Sequence, residues 1–172
     1  TEKRGEGLGR RIGLFHNTGD GHFTDQTAFI PTHLHTSTFG FGGSVSGDYD
    51  NDGDEDLFLA VSPRNILLRN DRGTFVAVAL DPDSLGTDGA IWLDYNQDGN
   101  LDIYATNRKN VPPLVAGTNR LLGNNGDGTF SDQTAAADLY IEFQPLFGGS
   151  SGGLVAGDFN GDGWPDLYIG VF

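Results

Sequence analysis

The chain has 172 residues, a length that suits one compact domain or a section of a larger repeat array. Its formal charge of −14, from 24 acidic and 10 basic residues, opposes binding to nucleic acid or to an anionic membrane surface unless cations intervene. The absence of cysteine excludes disulfides, thiol catalysis and Cys-ligated zinc. The sequence contains no run of about 18 apolar residues, so we expect no direct membrane insertion.

Two short sequence elements alternate along the chain, and each occurs three times. The first aspartates of the acidic element stand at positions 48, 94 and 158, so they lie 46 and 64 residues apart, a spacing typical of propeller blades with insertions. In chain order the elements are LFHNTGDGHF from Leu14, GSVSGDYDNDGDEDLFLA from Gly43, LLRNDRGTF from Leu67, GAIWLDYNQDGNLDIYAT from Gly89, LLGNNGDGTF from Leu121 and GLVAGDFNGDGWPDLYIG from Gly153.

The shorter element predicts a β-hairpin. Two apolar residues precede an Asn/Gly/Asp turn that requires positive φ, and a phenylalanine then starts the return strand. Phe23, Phe75 and Phe130 hold that place in the three copies. Each hairpin element therefore contributes two short strands.

The acidic element predicts two further strands with a loop between them. In its first copy, residues 43–47 and 57–62 are apolar at nearly every position, which indicates strands buried on both faces. Glycine-rich composition and the absence of a sustained 3.6-residue period disfavour a helical repeat. We predict an all-β fold of β-propeller blades, each a four-stranded antiparallel repeat, in a partial propeller of about three repeats.

The predicted organisation is a single propeller segment, residues 1–172, with repeats at about 12–62, 63–107 and 108–172. If the acidic loop joins the first two strands of a blade, 41–79 and 87–134 are whole blades. Residues 12–27 and 152–172 are then half-blades. We expect these ends to pair with protein outside the segment, either missing blades of a longer chain, another copy or an assembly partner.

The acidic loops predict calcium sites of the form D-x-[DN]-x-D-G-x-x-D. Side-chain oxygens at positions 1, 3, 5 and 9 can surround one hard cation, a carbonyl from position 7 adds a ligand, and glycine at position 6 permits the reversal. Such a donor set favours Ca²⁺, about three ions in all. The predicted ligands are Asp48, Asp50, Asp52, Asp54 and Asp56 in the first loop, Asp94, Asn96, Asp98, Asn100 and Asp102 in the second, and Asp158, Asn160, Asp162, Trp164 and Asp166 in the third.

Two other interpretations of these loops fit the sequence less well. An EF-hand requires a bidentate Glu at position 12, where the chain has Leu59, Ala105 and Ile169, and the following residues predict strands rather than helices. Plain Asp/Asn/Gly turns without metal are the second alternative, disfavoured because the same oxygens recur three times. We expect structural sites, the weakest being the second loop because Asn96 and Asn100 carry no charge.

The chain resembles the FG-GAP and VCBS repeat family, which includes the head propeller of integrin α-subunits and many large bacterial secreted proteins. The stretch NNGDGTFSDQT from Asn124 is similar to the cartilage acidic protein branch. The resemblance is carried by Phe41-Gly42, by Phe147-Gly148, by GDYDNDGDEDL from Gly47 and by GDFNGDGWPDL from Gly157.

This resemblance implies calcium in the loop between the first two strands of each blade, and a role in adhesion or ligand binding. We expect a secreted or extracellular location, with cell surface or periplasm possible, a processed chain or fragment, no enzymatic activity, and a protein or glycan ligand but no nucleic acid. The alternative is part of a calcium-dependent polysaccharide lyase or another carbohydrate-active propeller enzyme, which would need a basic groove. Only two lysines, Lys3 and Lys109, are present for one.

Overall fold

The described residues fold almost entirely into short antiparallel strands. The computed structural model describes residues 12–34, 40–62, 64–80, 87–107, 119–139 and 151–171. Its two helices are single 3₁₀ turns, Thr27–Phe29 and Thr32–Leu34. The strands are β1 (Phe15–Asn17), β2 (Phe23–Asp25), β3 (Gly40–Gly47), β4 (Asp56–Ser62), β5 (Ile66–Asp71), β6 (Thr74–Val78), β7 (Thr87–Leu93), β8 (Asp102–Asn107), β9 (Arg120–Asn124), β10 (Phe130–Asp132), β11 (Ser151–Gly157) and β12 (Asp166–Val171).

These strands form two four-stranded and two two-stranded sheets, so the predicted all-β fold of propeller-like blades is confirmed. Blade A is β3–β4–β5–β6 and blade B is β7–β8–β9–β10, each a meander of neighbouring antiparallel strands. Half-blade C is β11–β12, and hairpin N is β1–β2. The predicted repeats 12–62, 63–107 and 108–172 each combine the last two strands of one blade with the first two of the next, and their boundaries stay a prediction.

Blades A and B pack face to face on the main core. Successive side chains of a strand point to opposite faces of its sheet, so each blade has two apolar faces. The face of blade A that carries Phe58 and Leu67 packs on the face of blade B that carries Ile103 and Leu122, and all four side chains are buried.

The other two faces of these blades cover the two-stranded sheets. The opposite face of blade A, with Leu59 and Val61, packs on Leu14, which directly precedes β1 of hairpin N, and on Ile30 and Leu34, which follow β2. The opposite face of blade B, with Tyr104, packs on Leu154 of half-blade C. The order of packing is therefore hairpin N, blade A, blade B, half-blade C.

The first strands of the blades lie side by side, β3 against β7 and β7 against β11. Glycine allows the close approach, since a Cβ on Gly42 would collide with the main chain of Asp88. The predicted burial on both faces holds for the second strands β4 and β8 but is wrong for β3. Its Val45 packs toward blade B, whereas Ser44 and Ser46 on the opposite face are exposed because hairpin N has only two strands and leaves them uncovered.

Candidate metal centres in the acidic loops

Each acidic loop joins the first two strands of a sheet. Loop 1 (residues 48–56) lies between β3 and β4, loop 2 (94–102) between β7 and β8, and loop 3 (158–166) between β11 and β12. Strands flank all three loops, as the sequence predicts and as an EF-hand would not have. The loops belong to one repeated architecture, which makes them comparable position by position.

The first aspartate of each loop organises the turn. In loop 1 the two carboxylate oxygens of Asp48 accept hydrogen bonds from the backbone amides of Asp52 and Gly53, both over 3.0 Å. Asp94 and Asp158 accept from the same two positions over 2.9 to 3.2 Å. The carboxylate of the first aspartate thus satisfies two turning backbone amides in every loop.

Two positions of each loop have left-handed backbone. The glycine at position 6 was expected there from the sequence. Position 4 has the same conformation, which the sequence analysis missed because only the third loop carries glycine at that place. The φ angles are 92°, 87° and 90° at Gly53, Gly99 and Gly163, and 58°, 58° and 79° at Asn51, Gln97 and Gly161.

Loop 1 brings three carboxylates together. Oxygens of Asp48, Asp50 and Asp56 all lie within 4.8 Å of one another, a grouping that no other set of described acidic or histidine side chains forms. Burial, followed by the charge of Asp52, raises the pKa of Asp50, and burial raises the pKa of Asp56. Three hard oxygen donors in this arrangement fit a calcium ion.

Loops 2 and 3 differ from loop 1 at position 3. The side-chain amide of Asn96 donates to Asp98 Oδ2 over 2.9 Å, and that of Asn160 donates to Asp162 Oδ2 over 3.0 Å. Hydrogen bonds lower the pKa of Asp98, the largest contribution coming from the backbone amide of Asn100 and the next from the side chain of Asn96. A cation that binds the position 5 carboxylate in either loop would have to displace this asparagine hydrogen bond. The side-chain arrangement of loops 2 and 3 therefore suits a metal ion less well than that of loop 1.

The last aspartate of a loop is tied to the third strand of its own blade. Asp56 Oδ1 accepts from the backbone amide of Asn70 over 2.7 Å, and Asp102 Oδ1 accepts from that of Asn124 over 2.8 Å. Their Oδ2 atoms accept from the backbone amides of Tyr49 and Tyr95. Both aspartates are fully buried, and burial raises the pKa of Asp102 to about 6.

The equivalent aspartate of loop 3 has half of this support. Asp166 Oδ2 accepts from the backbone amide of Phe159 over 2.9 Å, as in the other loops. Among the described strands β12 pairs only with β11, so no third strand supplies the second amide. Asp166 is consequently only partly buried.

Sequence analysis missed the asparagines that hold the loops in place. Asn124 is buried and donates from Nδ2 to the carbonyl oxygen of Tyr49 over 2.8 Å and to that of Leu101 over 3.1 Å, which joins loop 1 to loop 2. Asn70 donates to the carbonyl of Glu55. The signal was present, because the fourth residue of every hairpin element is asparagine.

Side chains at position 7 point to different partners. Asp54 Oδ2 accepts from the backbone amide of Arg72 over 3.0 Å, Asn100 donates to Asp98, and Trp164 is 51% exposed. These three positions were expected to act through their carbonyls, which stays a prediction. The predicted Phe147-Gly148 pair lies outside the described residues.

A model of the FG-GAP-like repeat matches the chain three times, over residues 7–59, 48–105 and 94–169. The chain belongs to the FG-GAP-like repeat family. Such repeats often bind Ca²⁺, are typical of extracellular proteins and are generally non-catalytic. A comparison with curated proteins gave no match. Among the described residues of these FG-GAP repeats, no helix combines the length and apolar character that crossing a membrane requires.

Proposed function

We propose that these FG-GAP repeats form an extracellular calcium-binding module, with one ion in each acidic loop, that serves adhesion or protein assembly rather than catalysis. The observation that carries the proposal is the carboxylate cluster of Asp48, Asp50 and Asp56 in loop 1. Burial, with a smaller contribution from neighbouring carboxylates, raises the pKa of Asp50 and of Asp56, and a bound cation would favour their ionised forms.

Calcium would act as a structural ion in this module. It binds the folded loop and not the unfolded chain, so it stabilises the fold by mass action. Sites with dissociation constants near 10⁻⁴ to 10⁻³ M are filled where calcium is millimolar, as outside cells. The residues that would hold it are those at positions 1, 3, 5 and 9 of each loop, with the carbonyl of position 7.

The experiment is a calorimetric titration of metal-free protein with CaCl₂, combined with thermal melts in calcium and in chelator. We expect about three ions and a clearly higher melting temperature in calcium. Asp52→Asn should weaken one site at least tenfold and lower the melting temperature only with calcium present. Asp138→Asn, which removes one exposed charge outside the loops, is the matched control. Coincident melting curves, or equal losses in chelator, would contradict a metal role.

The lyase alternative has less support from the described residues. A cavity of about 330 Å³ lies between loop 1 and the β9–β10 turn. It contains one arginine, Arg69, beside Asp50 and Asp127, and Arg69 is already paired with Asp71 over 2.9 Å. An acidic polysaccharide would meet mostly negative charge there. Incubation with acidic polysaccharides in calcium, followed by ultraviolet absorbance for unsaturated products, tests this alternative directly.

A further inference from the structure

The cavity between loop 1 and the β9–β10 turn lies where blade A meets blade B, and we call it the A–B cavity. Its volume of about 330 Å³ is near the lower end of the range of small-molecule sites in proteins, so it suits a ligand of about one ring. Both whole blades contribute to its lining, which includes Tyr49, Asp50, Arg69, Asn100, Gly126 and Asp127.

The A–B cavity is lined partly by positions at which the copies of the repeat differ. Arg69 stands where blade B has Gly123 and hairpin N has His16. The turn between β9 and β10 has five residues, 125–129, whereas the turn between β5 and β6 has two, 72–73. Positions shared by all copies maintain the fold, and positions that differ are available for a site that belongs to this place alone.

Hydrogen bonds between the blades hold the two sides of the cavity together. Asn124 donates from Nδ2 to the carbonyl oxygen of Tyr49 over 2.8 Å, and its Oδ1 accepts from the backbone amide of Gly126 over 3.0 Å. Asn100 lies against the same turn, since a Cβ on Gly126 would come within 3.3 Å of its side-chain nitrogen. A cavity fixed in this way before a ligand enters loses little conformational entropy on binding.

Polar atoms around the cavity have hydrogen-bonding capacity for a ligand. Asp127 Oδ1 accepts from the backbone amide and the hydroxyl of Thr129, over 2.9 and 2.5 Å, whereas Oδ2 has no hydrogen bond within the described part of the chain. Arg69 donates to Asp71 from Nε and Nη2, over 2.9 and 3.0 Å, and among the described groups Nη1 has no acceptor. An acceptor and a donor are therefore available in one cavity.

The charges of the lining disfavour an ionic ligand. Arg69 is already paired with Asp71, so Asp50 and Asp127 would repel an anion. The calcium ion proposed for loop 1 would offset the charge of Asp50 and oppose a second cation beside it. A neutral ligand that both donates and accepts hydrogen bonds fits better, and hydroxyl groups do both.

The cavity is accessible from solvent. The side chain of Arg69 is 40% exposed, and Asp50 and Asp127 are exposed. One unit of a longer chain can therefore enter while the rest of that chain stays outside. A ligand of this kind does not need to be a free small molecule.

We propose that the A–B cavity binds one neutral sugar unit of a glycan. Neighbouring hydroxyl groups of the sugar ring donate to Asp127 Oδ2 and accept from Arg69 Nη1, and Tyr49 and Asn100 bound the ring. This inference rests on the proposed role in adhesion, to which it gives a ligand class. Neither Arg69 nor Asp127 is a predicted calcium ligand, so sugar binding and calcium binding can be tested separately.

The test is a titration of ¹⁵N-labelled protein in millimolar calcium, followed through the amide signals of Gly126 and Gly128. The probes are the methyl glycosides of glucose, galactose, mannose, fucose and xylose. We expect at least one of them to shift both signals saturably, with a dissociation constant of about 1 mM, as a ligand of this size allows. Glucuronic acid and butylamine, an anion and a cation, should bind roughly tenfold more weakly.

Two variants remove the proposed contacts one at a time. Asp127→Asn keeps the Oδ1 atom that Thr129 bonds but loses the carboxylate, and Arg69→Met keeps an unbranched side chain without the guanidinium. Each should weaken sugar binding roughly tenfold and leave the calcium titration nearly unchanged. Arg120→Met is the matched control, because Arg120 also pairs with an aspartate over 2.9 Å but does not line the cavity.

The outcomes separate this inference from the calcium role. No shift with any of the five glycosides, tighter binding of glucuronic acid or butylamine, unchanged binding in both cavity variants, or equal weakening by Arg120→Met would each overturn the sugar site. Protein that takes up calcium and binds no sugar contradicts this inference alone. Protein that binds sugar at Gly126 and Gly128 but takes up no calcium contradicts the proposed calcium role and supports the sugar site.

Discussion

The side-chain amide of Asn51 in loop 1 donates a hydrogen bond over 3.2 Å to the main-chain carbonyl oxygen of Gly99 in loop 2. Gln97, at the same position of loop 2, donates to the carbonyl of Gly163 in loop 3. The fourth residue of one loop therefore holds the sixth residue of the next. Ordering one loop with calcium should help to order its neighbour, because the hydrogen bond restricts the turn that both share.

Asn51→Gly should weaken calcium binding at loop 2 by roughly three- to tenfold and leave loop 1 nearly unchanged. Glycine keeps the left-handed backbone of position 4 while it removes the amide that reaches Gly99. Calorimetric titration resolves the two sites. Gly161→Asn is the control, since loop 3 has no following loop among the described residues, and its titration should match the wild type. Equal weakening at all sites by Asn51→Gly would contradict coupling.

Asp50→Asn should change stability in opposite directions with and without calcium. Burial raises the pKa of Asp50, so its ionised form opposes folding at neutral pH, and neutral asparagine removes that cost. We expect the metal-free protein to melt slightly higher than wild type, and calcium to bind loop 1 about tenfold more weakly, about 1.4 kcal/mol. Thermal melts in chelator and in calcium measure both effects.

The reciprocal change Asn96→Asp places a carboxylate at the same position of loop 2. It removes the amide donor to Asp98 and adds a negative charge. Calcium binding to loop 2 should tighten, and the metal-free protein should melt lower. Two variants that shift the melts in the same direction would argue against charge as the cause.

Stability of the metal-free protein should fall as the pH rises from about 4 to 6. The pKa of Asp102 is raised from 3.8 to about 6 by burial, so within this window the native state binds more protons than the unfolded state. The free energy of unfolding then decreases by up to about 3 kcal/mol as the pH rises through the folded pKa. Urea unfolding at several pH values measures it.

Calcium should reverse this dependence. A bound ion keeps the loop carboxylates ionised, so stability in calcium should rise over the same pH window. Asp102→Asn removes the titrating group and should flatten the metal-free profile. If the free energy of unfolding changed with pH in the same way with and without calcium, Asp102 would not be a calcium ligand.

Asn124→Ala should destabilise the protein by about 1–3 kcal/mol, because it leaves the buried carbonyl oxygen of Tyr49 and the partly buried one of Leu101 without this donor. Asn125→Ala is the matched control, an exposed neighbour that bonds Thr129 in its own turn, and should cost less than about 0.5 kcal/mol. Urea unfolding in calcium compares the two. If both variants lost similar free energy of unfolding, the stabilisation would come from the β9–β10 turn and not from the contact of Asn124 with loop 1.

The features that the sequence predicted correctly are those that depend on residues close together in the chain. The hairpin turns, the glycine at position 6 and the strands flanking each loop depend on residues within a few positions of one another, and a threefold repeat made each of them visible. Membership of the FG-GAP-like family and the all-β fold followed from the same local patterns.

Only the tertiary structure determines how residues at equivalent positions of the repeats differ in burial and in hydrogen bonding. Loops 1 and 3 have similar sequences, yet Asp56 is fully buried by a third strand and by blade B, while Asp166 keeps an open side. The bond from Asn51 to Gly99 and the reach of Asn124 to Tyr49 join residues 48 and 75 positions apart. Burial, electrostatic cost and hydrogen bonding between blades depend on neighbours distant in the chain, which no local pattern specifies.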